Sequence, residues 1–394
     1  MGTLDGIRVV EAGLLVQGPQ AALTMLEWGA DVVKVELPGF GDQARWLPIS
    51  REDRRSAFFS AYNRGKRSVT VDLRIPHGRD VFLRLVEHAD VVITNFKPGT
   101  MEGWGLGYDD LAARNPQIVY AVGSSFGQHG PDAAREGADL SAQAAGGLIS
   151  TTGGSGNDPS PVGATVADHI SGQNLLAGIL AALYARAQTG RGQMVETSLL
   201  GGQIWAQAGE YTRYLMSGEP SGPSSRSHPM IPGIYGVFPT SDGWIAIVGT
   251  AGPARDRFYR TIGRPDLIER FSQLLYFEDD KAELWPILDQ VFATKPTAEW
   301  CDLMGAAGLR FAPVRDHAEV ANDPGVEANG YISTVGGSGG ETASPVVRAP
   351  VRFSDASADV DAHVPELGEH TEEVLLEVGY SWDDIAALTE DGAI

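Results

Sequence analysis

An α/β fold, with a large domain on a parallel sheet and a smaller α+β domain, is predicted by three observations. Short β-branched runs alternate with segments of helical period as far as Leu199. A Gly/Ser/Pro-rich break follows at Ser217–Pro232. The chain has 394 residues, more than one hydrophobic core usually fills.

Ile7–Ala12 reads as a strand, followed by a glycine-bearing turn and a helical pattern from Pro19 to Trp28 that Gly29 ends. Val32–Val35 is the next strand, closing on Glu36, so the first forty or so residues form a β-α-β unit. Ser68–Leu73, Val91–Thr94 and Ile118–Ser124 continue the strands, with helices at Arg79–Glu87 and Tyr108–Arg114 between them. Gly146–Pro161 is a Gly/Ser/Thr-rich loop, long enough to be functional or mobile. After Asp168, the residues Leu175, Leu176, Ile179, Leu180, Leu183 and Tyr184 recur at helical spacing and predict a buried face that runs to a stop at Gly190. Met194–Leu199 is a strand, and a helical run passes through Trp205 and Tyr211. Beyond the break, Gly236–Val248 reads as a hairpin turning at Ser241-Asp-Gly243, ahead of helical patterns with Trp285 and Trp300. The tail carries two short helices, the second opened by a Ser381/Asp384 capping box. The expected division is 1–215 for the first part of the large domain, 216–232 as linker and 226–325 as the small domain. Residues 326–394 return to the large one.

Composition narrows the function. A net charge of −21 argues against nucleic-acid binding, and no apolar run is long enough for a membrane span. Cys301 is the sole cysteine, which excludes an internal disulfide or a thiolate-cluster metal site and fits a reducing compartment. The opening Met1-Gly-Thr-Leu-Asp-Gly-Ile lacks a basic segment ahead of an apolar one, so a cytoplasmic location is expected. Charge is unevenly spread. Between Arg45 and Lys97 there are eleven Lys or Arg against six Asp or Glu, whereas Val351–Ile394 has twelve acids and one Arg. A local basic patch on an acidic chain points to a small anionic ligand, though solvated surface pairs give the same pattern. That ligand is not a dinucleotide or a P-loop nucleotide: the first turn reads Gly13-Leu-Leu-Val-Gln-Gly18-Pro19, without the Gly-x-Gly-x-x-Gly or Gly-Lys-Ser/Thr patterns. No metal, NAD or flavin is expected. Taken alone, Asp168 is a helix N-cap, where free N–H groups and the helix dipole would hold its pKa at or below the usual ~3.9.

Several segments in order carry a resemblance. They are Leu4-Asp-Gly-Ile-Arg-Val-Val10, Gly29-Ala-Asp-Val-Val-Lys-Val-Glu36, Asn63-Arg-Gly-Lys-Arg-Ser-Val-Thr-Val-Asp-Leu73, Asn95-Phe-Lys-Pro-Gly99, and Phe126-Gly-Gln-His-Gly-Pro131. Asp168 with the Thr189-Gly-Arg-Gly-Gln193 ending of its helix, and Leu367-Gly-Glu-His-Thr-Glu-Glu-Val-Leu375, complete the set. Together they resemble the family III CoA-transferases, a group that includes formyl-CoA and carnitine CoA-transferases and, as a divergent branch, α-methylacyl-CoA racemase. The resemblance implies a Rossmann-like large domain, a threaded-ring homodimer, and an acyl-CoA and a small carboxylic acid as substrates. It makes Asp168 the nucleophile, through an aspartyl anhydride and an aspartyl-CoA thioester.

The same resemblance assigns CoA contacts to Val16 and Gln17 in the first turn, to Val71, Leu73 and Arg74, to Asn95, Phe96 and Lys97, and to Ala138 and Asp139. Relatives have an arginine where Leu37 stands, so Arg45 is a possible substitute; Arg64, Lys66 and Arg67 could line a phosphate entrance or pair across a dimer. Either glycine-rich loop, Gly146–Gly156 or Ser221–Gly233, could cover the site, and His228 is a candidate contact to the acceptor. The racemase alternative needs an imidazole where the chain has Ala138 and a glutamate where it has Gly252-Pro253; His169 and His129 are the available replacements. A silent CoA-binding protein on the same fold is the third reading.

Overall fold

The structure is a computed structural model describing residues 1–154, 158–223, 226–336, 343–356 and 361–394. Parts of both glycine-rich loops, 155–157 and 224–225, lie outside the described residues. The chain divides into two compact units. The first comprises Met1–Gly146, Gly163–Ala206 and Pro324–Ile394, the second Gly147–Val162 and Gln207–Asp323.

The first unit is built on β1 (Arg8–Ala12), β2 (Asp31–Glu36), β3 (Arg67–Thr70), β4 (Val91–Thr94), β5 (Val119–Ser124) and β6 (Met194–Ser198). All pair in parallel, in the order β3-β2-β1-β4-β5-β6. The strands read as continuous apolar runs because both faces of the sheet are covered. Val10, Val33, Val69 and Val92 meet Val81, Phe82 and Leu85 of the Pro76–Val86 helix and Val374 and Leu375 near the C-terminus. Their neighbours Val9, Val32 and Val91 point the other way, onto Ala21, Ala22 and Met25 of the Gln17–Glu27 helix and Leu175, Leu176 and Ile179 of the Val166–Thr189 helix.

That last helix ends as its sequence requires, at Gly190 in the left-handed conformation (φ 71°). Its buried face is narrower than the spacing predicted: Tyr184 is 72 % exposed. The face is set by Leu175, Leu176, Ile179 and Ala182, and Tyr184 lies two residues beyond Ala182, about 200° around the helix. Just past it, a Cβ on Gly192 would stand 1.9 Å from the Ile118 carbonyl oxygen. The Gly192→Ala variant is therefore expected to lose about 1–3 kcal/mol, read as a lower urea midpoint.

The second unit holds an antiparallel sheet of β7 (Ile234–Pro239), β8 (Trp244–Thr250) and β9 (Phe311–Pro313). Phe238, Ile245, Phe258, Phe292 and Trp300 form its core. Two features were not predicted. β9 is three residues long, too short to show alternation. An antiparallel pair in the first unit, Ile332–Val335 with Ser344–Val347, has only half-buried or exposed side chains, so no face of it is patterned. The run through Trp205 and Tyr211 breaks at Gln207 into Leu199–Ala206 and Ala208–Ser217. Cys301 is half-buried, and that burial pushes its thiol pKa up. Among the described residues no helix is long and apolar enough to cross a membrane.

Candidate active site

Strand order reverses between β1 and β4, the topological switch point beyond whose carboxyl ends ligands bind in such sheets. The loop leaving β1 is held from several sides. Asn95, just past β4, accepts from the Leu14 N–H (2.7 Å) and donates to the Leu14 carbonyl (2.8 Å). Leu15 is the one non-glycine residue at positive φ (63°) among the described residues, a conformation costing ~1–2 kcal/mol. Its N–H is taken by Asp42 Oδ1 at 3.0 Å.

Beneath this turn lies a set of fully buried charges. Register places Glu11 of β1 opposite Lys34 of β2. Lys34 Nζ is 2.9 Å from both Glu11 and Asp42 and donates to the Gly13 carbonyl at 3.0 Å. Lys66 Nζ reaches the other Glu11 oxygen at 2.7 Å, and donates to the Pro19 carbonyl and to Asn63 Oδ1. Burial lowers the Lys66 pKa to about 8, Glu11 opposing and Lys34 reinforcing it. Lys34 is pushed the other way, because Asp42, Glu11 and Glu36 outweigh its burial.

Asp168 sits in the first turn of the Val166–Thr189 helix, not at its cap, and here the sequence expectation is corrected. The N-cap position is Thr165, whose side chain makes no cap bond; Asp139 does the capping from another segment, its Oδ1 accepting from the N–H groups of Ala167 (2.7 Å) and Asp168 (3.2 Å) while Oδ2 accepts from Gln143 Nε2. The Asp168 carboxyl is half-buried and has no hydrogen-bond or ion-pair partner among the described residues. Its pKa is consequently raised from 3.8 to about 7, by burial first and by the Asp139 charge second. The backbone donors that would have lowered it are spent on Asp139. Beside it, the Tyr62 hydroxyl lies 2.9 Å from His169 Nε2, and burial lowers the His169 pKa, leaving the ring neutral at neutral pH.

Gln17 joins the turn to this helix, donating to Ser171 Oγ one turn after Asp168. Gly172 permits that approach, since a Cβ there would lie 2.9 Å from the Gln17 carbonyl oxygen. The other sequence-predicted residues distribute as follows. Val16, Val71 and Leu73 are buried, the last two in the core beside the sheet. Phe96 stacks edge-on against Trp104, and Lys97 is exposed, its side chain making no hydrogen bond or ion pair among the described residues. Arg74 is exposed but makes a two-bond pair with Asp72. Ala138 is exposed at the start of the Asp139–Ala145 helix.

Much of the basic patch is paired within the chain, so Arg45, Arg64, Lys66 and Arg67 each already hold an acidic partner. Arg45 forks onto Glu36, bonds the Pro365 carbonyl and lies over the Phe59 ring. Arg64 pairs with Glu27, and Arg67 with Asp31, Glu373 and Glu377. In the second unit His228 is also engaged. Its Nδ1 accepts from the Met230 N–H and its Nε2 faces Glu210 at 2.9 Å, so neither nitrogen is free for an acceptor. His129 is exposed, 3.8 Å from Glu196. Sequence reading missed Tyr62, Ser171 and the Glu11–Lys34–Asp42 set; for Glu11 and Lys34 the available signal was a charge inside an otherwise apolar strand.

Fold and site together describe an α/β protein that carries an unpartnered, half-buried carboxyl in the first turn of a helix packed on a parallel sheet. The sequence profile of CoA-transferase family III matches residues 4–371. The chain is 35% identical over 389 residues to succinate–glutarate CoA-transferase of Agrobacterium fabrum, covering 95% of each. It is 34% identical over 380 residues to a probable fatty acyl-CoA transferase of Mycobacterium tuberculosis, covering 93% of this chain and 96% of that one. The crystal structure of a CaiB/BaiF family protein from Brucella suis superposes with a TM-score of 0.85 at 33% identity, covering 96% of this chain and 99% of the other. The chain belongs to CoA-transferase family III, and it is a CoA-transferase.

Proposed function

We propose that the protein moves CoA from an acyl-CoA donor to a small carboxylic acid, with Asp168 as the covalent relay. The observation that carries this is the unpartnered Asp168 carboxyl at a helix tip whose capping is done by Asp139. In this reading the Asp168 carboxylate attacks the thioester carbonyl, the C–S bond breaks, and CoA thiolate leaves behind a mixed anhydride. The thiolate then attacks the Asp168 carbonyl, expelling the donor acid and leaving an aspartyl-CoA thioester. The acceptor carboxylate repeats the sequence in reverse, and water is never consumed. A carboxyl with pKa near 7 is a stronger nucleophile than an ordinary aspartate, at the cost of being half protonated at neutral pH.

Asn95 to Lys97 would line the CoA path at the switch point, together with the main chain of Val16 and Gln17, whose side chains are buried. Val71 and Leu73 could contribute only main chain, their side chains being buried in the core. A threaded-ring homodimer is part of this proposal. The raised pKa also meets one requirement of racemase chemistry, but Ala138 leaves the second base missing.

Incubation with a panel of acyl-CoAs, beginning with the succinyl and glutaryl esters that the A. fabrum relative suggests, tests the proposal by intact mass. An aspartyl-CoA adduct on Asp168 supports it. Exchange of the α-hydrogen for deuterium without an adduct would replace it by racemase chemistry, and CoA binding with neither by a silent binder. Adduct formation should also carry an acid limb, falling about tenfold per pH unit below the Asp168 pKa of about 7. Single-turnover rates between about pH 5.5 and about pH 8.5 measure it.

A further inference from the structure

We infer that the buried chain of alternating charges Asp42–Lys34–Glu11–Lys66 is a positioning device for the acyl-CoA substrate, fixing the left-handed turn at Leu15 so that the main chain of Val16 and Gln17, whose side chains are buried, meets the ligand in one conformation. This rests on the reading of Val16 and Gln17 as CoA contacts.

Four side chains with essentially no exposure alternate in sign and balance to zero charge. Such a set is weak evidence for stability, because apolar residues could fill the same volume. What the charges do here is grip main chain. Glu11 accepts from the Gly13 N–H, Lys34 donates to the Gly13 carbonyl, and Asp42 accepts from the Leu15 N–H. Lys66 holds the Pro19 carbonyl, in the first turn of the helix that Gln17 opens. Asn95 holds both polar groups of Leu14 from across the switch point. The loop at Gly13–Leu15 is thus specified by side chains drawn from β1, β2 and the segments after β2 and β4, and not by its own sequence. A non-glycine residue in a left-handed conformation persists only under such over-determination. Lys66 terminates the chain and ties it to the helix, so it is assigned as a positioning residue, touching no substrate itself.

Two variants test this. In Lys66→Met, the dissociation constant of free CoA, measured by calorimetry, is expected to rise at least about tenfold, while kcat at saturating acyl-CoA stays within about threefold. In Leu15→Gly, glycine accepts the turn's φ without strain but no longer enforces it. The same rise in dissociation constant is expected there, with a melting temperature within a few degrees of wild type. A folded Lys66→Met protein with a lower melting temperature and unchanged CoA affinity would overturn the inference, showing the lattice to be structural only. If Lys66→Met does not fold, Leu15→Gly decides by the same criterion. These outcomes are separate from the fate of the covalent mechanism: absence of an Asp168 adduct in the wild-type chain would sink that mechanism and leave the CoA affinities to be compared on their own.

Discussion

Replacing Asp168 by alanine is expected to lower turnover by at least about 10⁴-fold and to abolish the CoA adduct, with the protein still folded. Binding of CoA should survive, because the residues assigned to it lie elsewhere. Asp168→Ser should behave alike, since a hydroxyl cannot form the anhydride. Asp168→Asn differs in an informative way. Activity that grows with incubation time in Asn and is absent in Ala would mark slow hydrolysis of the amide back to the carboxylate.

The asparagine variant should also be more stable than wild type above neutral pH. Ionising Asp168 is harder in the folded chain, at about 7, than in the unfolded chain, near 3.8. The unfolded state therefore loses its proton first, and stability falls as pH rises from about 4 through 7. Asn removes that loss, and the gain should be about 1–3 kcal/mol at pH near 8 once partial exposure is allowed for. Thermal melts of the two proteins at acid and alkaline pH measure it, and the curves should converge at acid pH. Turnover retained in Ala or Ser would remove Asp168 from the chemistry altogether.

The second large effect is on stability. Lys34→Met leaves Glu11 with one cationic partner and Asp42 with none, both fully buried. Breaking a buried pair from one side costs about 3–5 kcal/mol, which urea unfolding will show as a shifted midpoint. A loss below about 1 kcal/mol would mean that these charges are solvated on a scale their burial denies.

Most of the scaffold could be read from local pattern. Strands β1 to β5 stand out as β-branched runs, and the Val166–Thr189 helix is marked by Leu175, Leu176 and Ile179 and stopped by Gly190. These signals are short-range, and burial on both faces amplifies them. What could not be read depends on contacts far apart in sequence. Arg67 looks like a free cation until Glu373 and Glu377 arrive from the other end of the chain. The helix-terminus rule sets the Asp168 pKa low; Asp139, 29 residues earlier, occupies the donors that the rule relies on and adds its own charge. Propensity reported the elements, and tertiary pairing decided which charged groups found partners.

The helix cap supplied by Asp139 has a consequence for how such an enzyme changes over time. In the proposed mechanism, anchoring the helix and reacting at its tip are duties of two different residues on two different segments. A lineage can thus retune or even silence residue 168 without unravelling the scaffold, and silent descendants that still bind ligand lie one substitution away. Conversely, any drift at Asp139 is felt twice, in the fold and in the acidity of its neighbour.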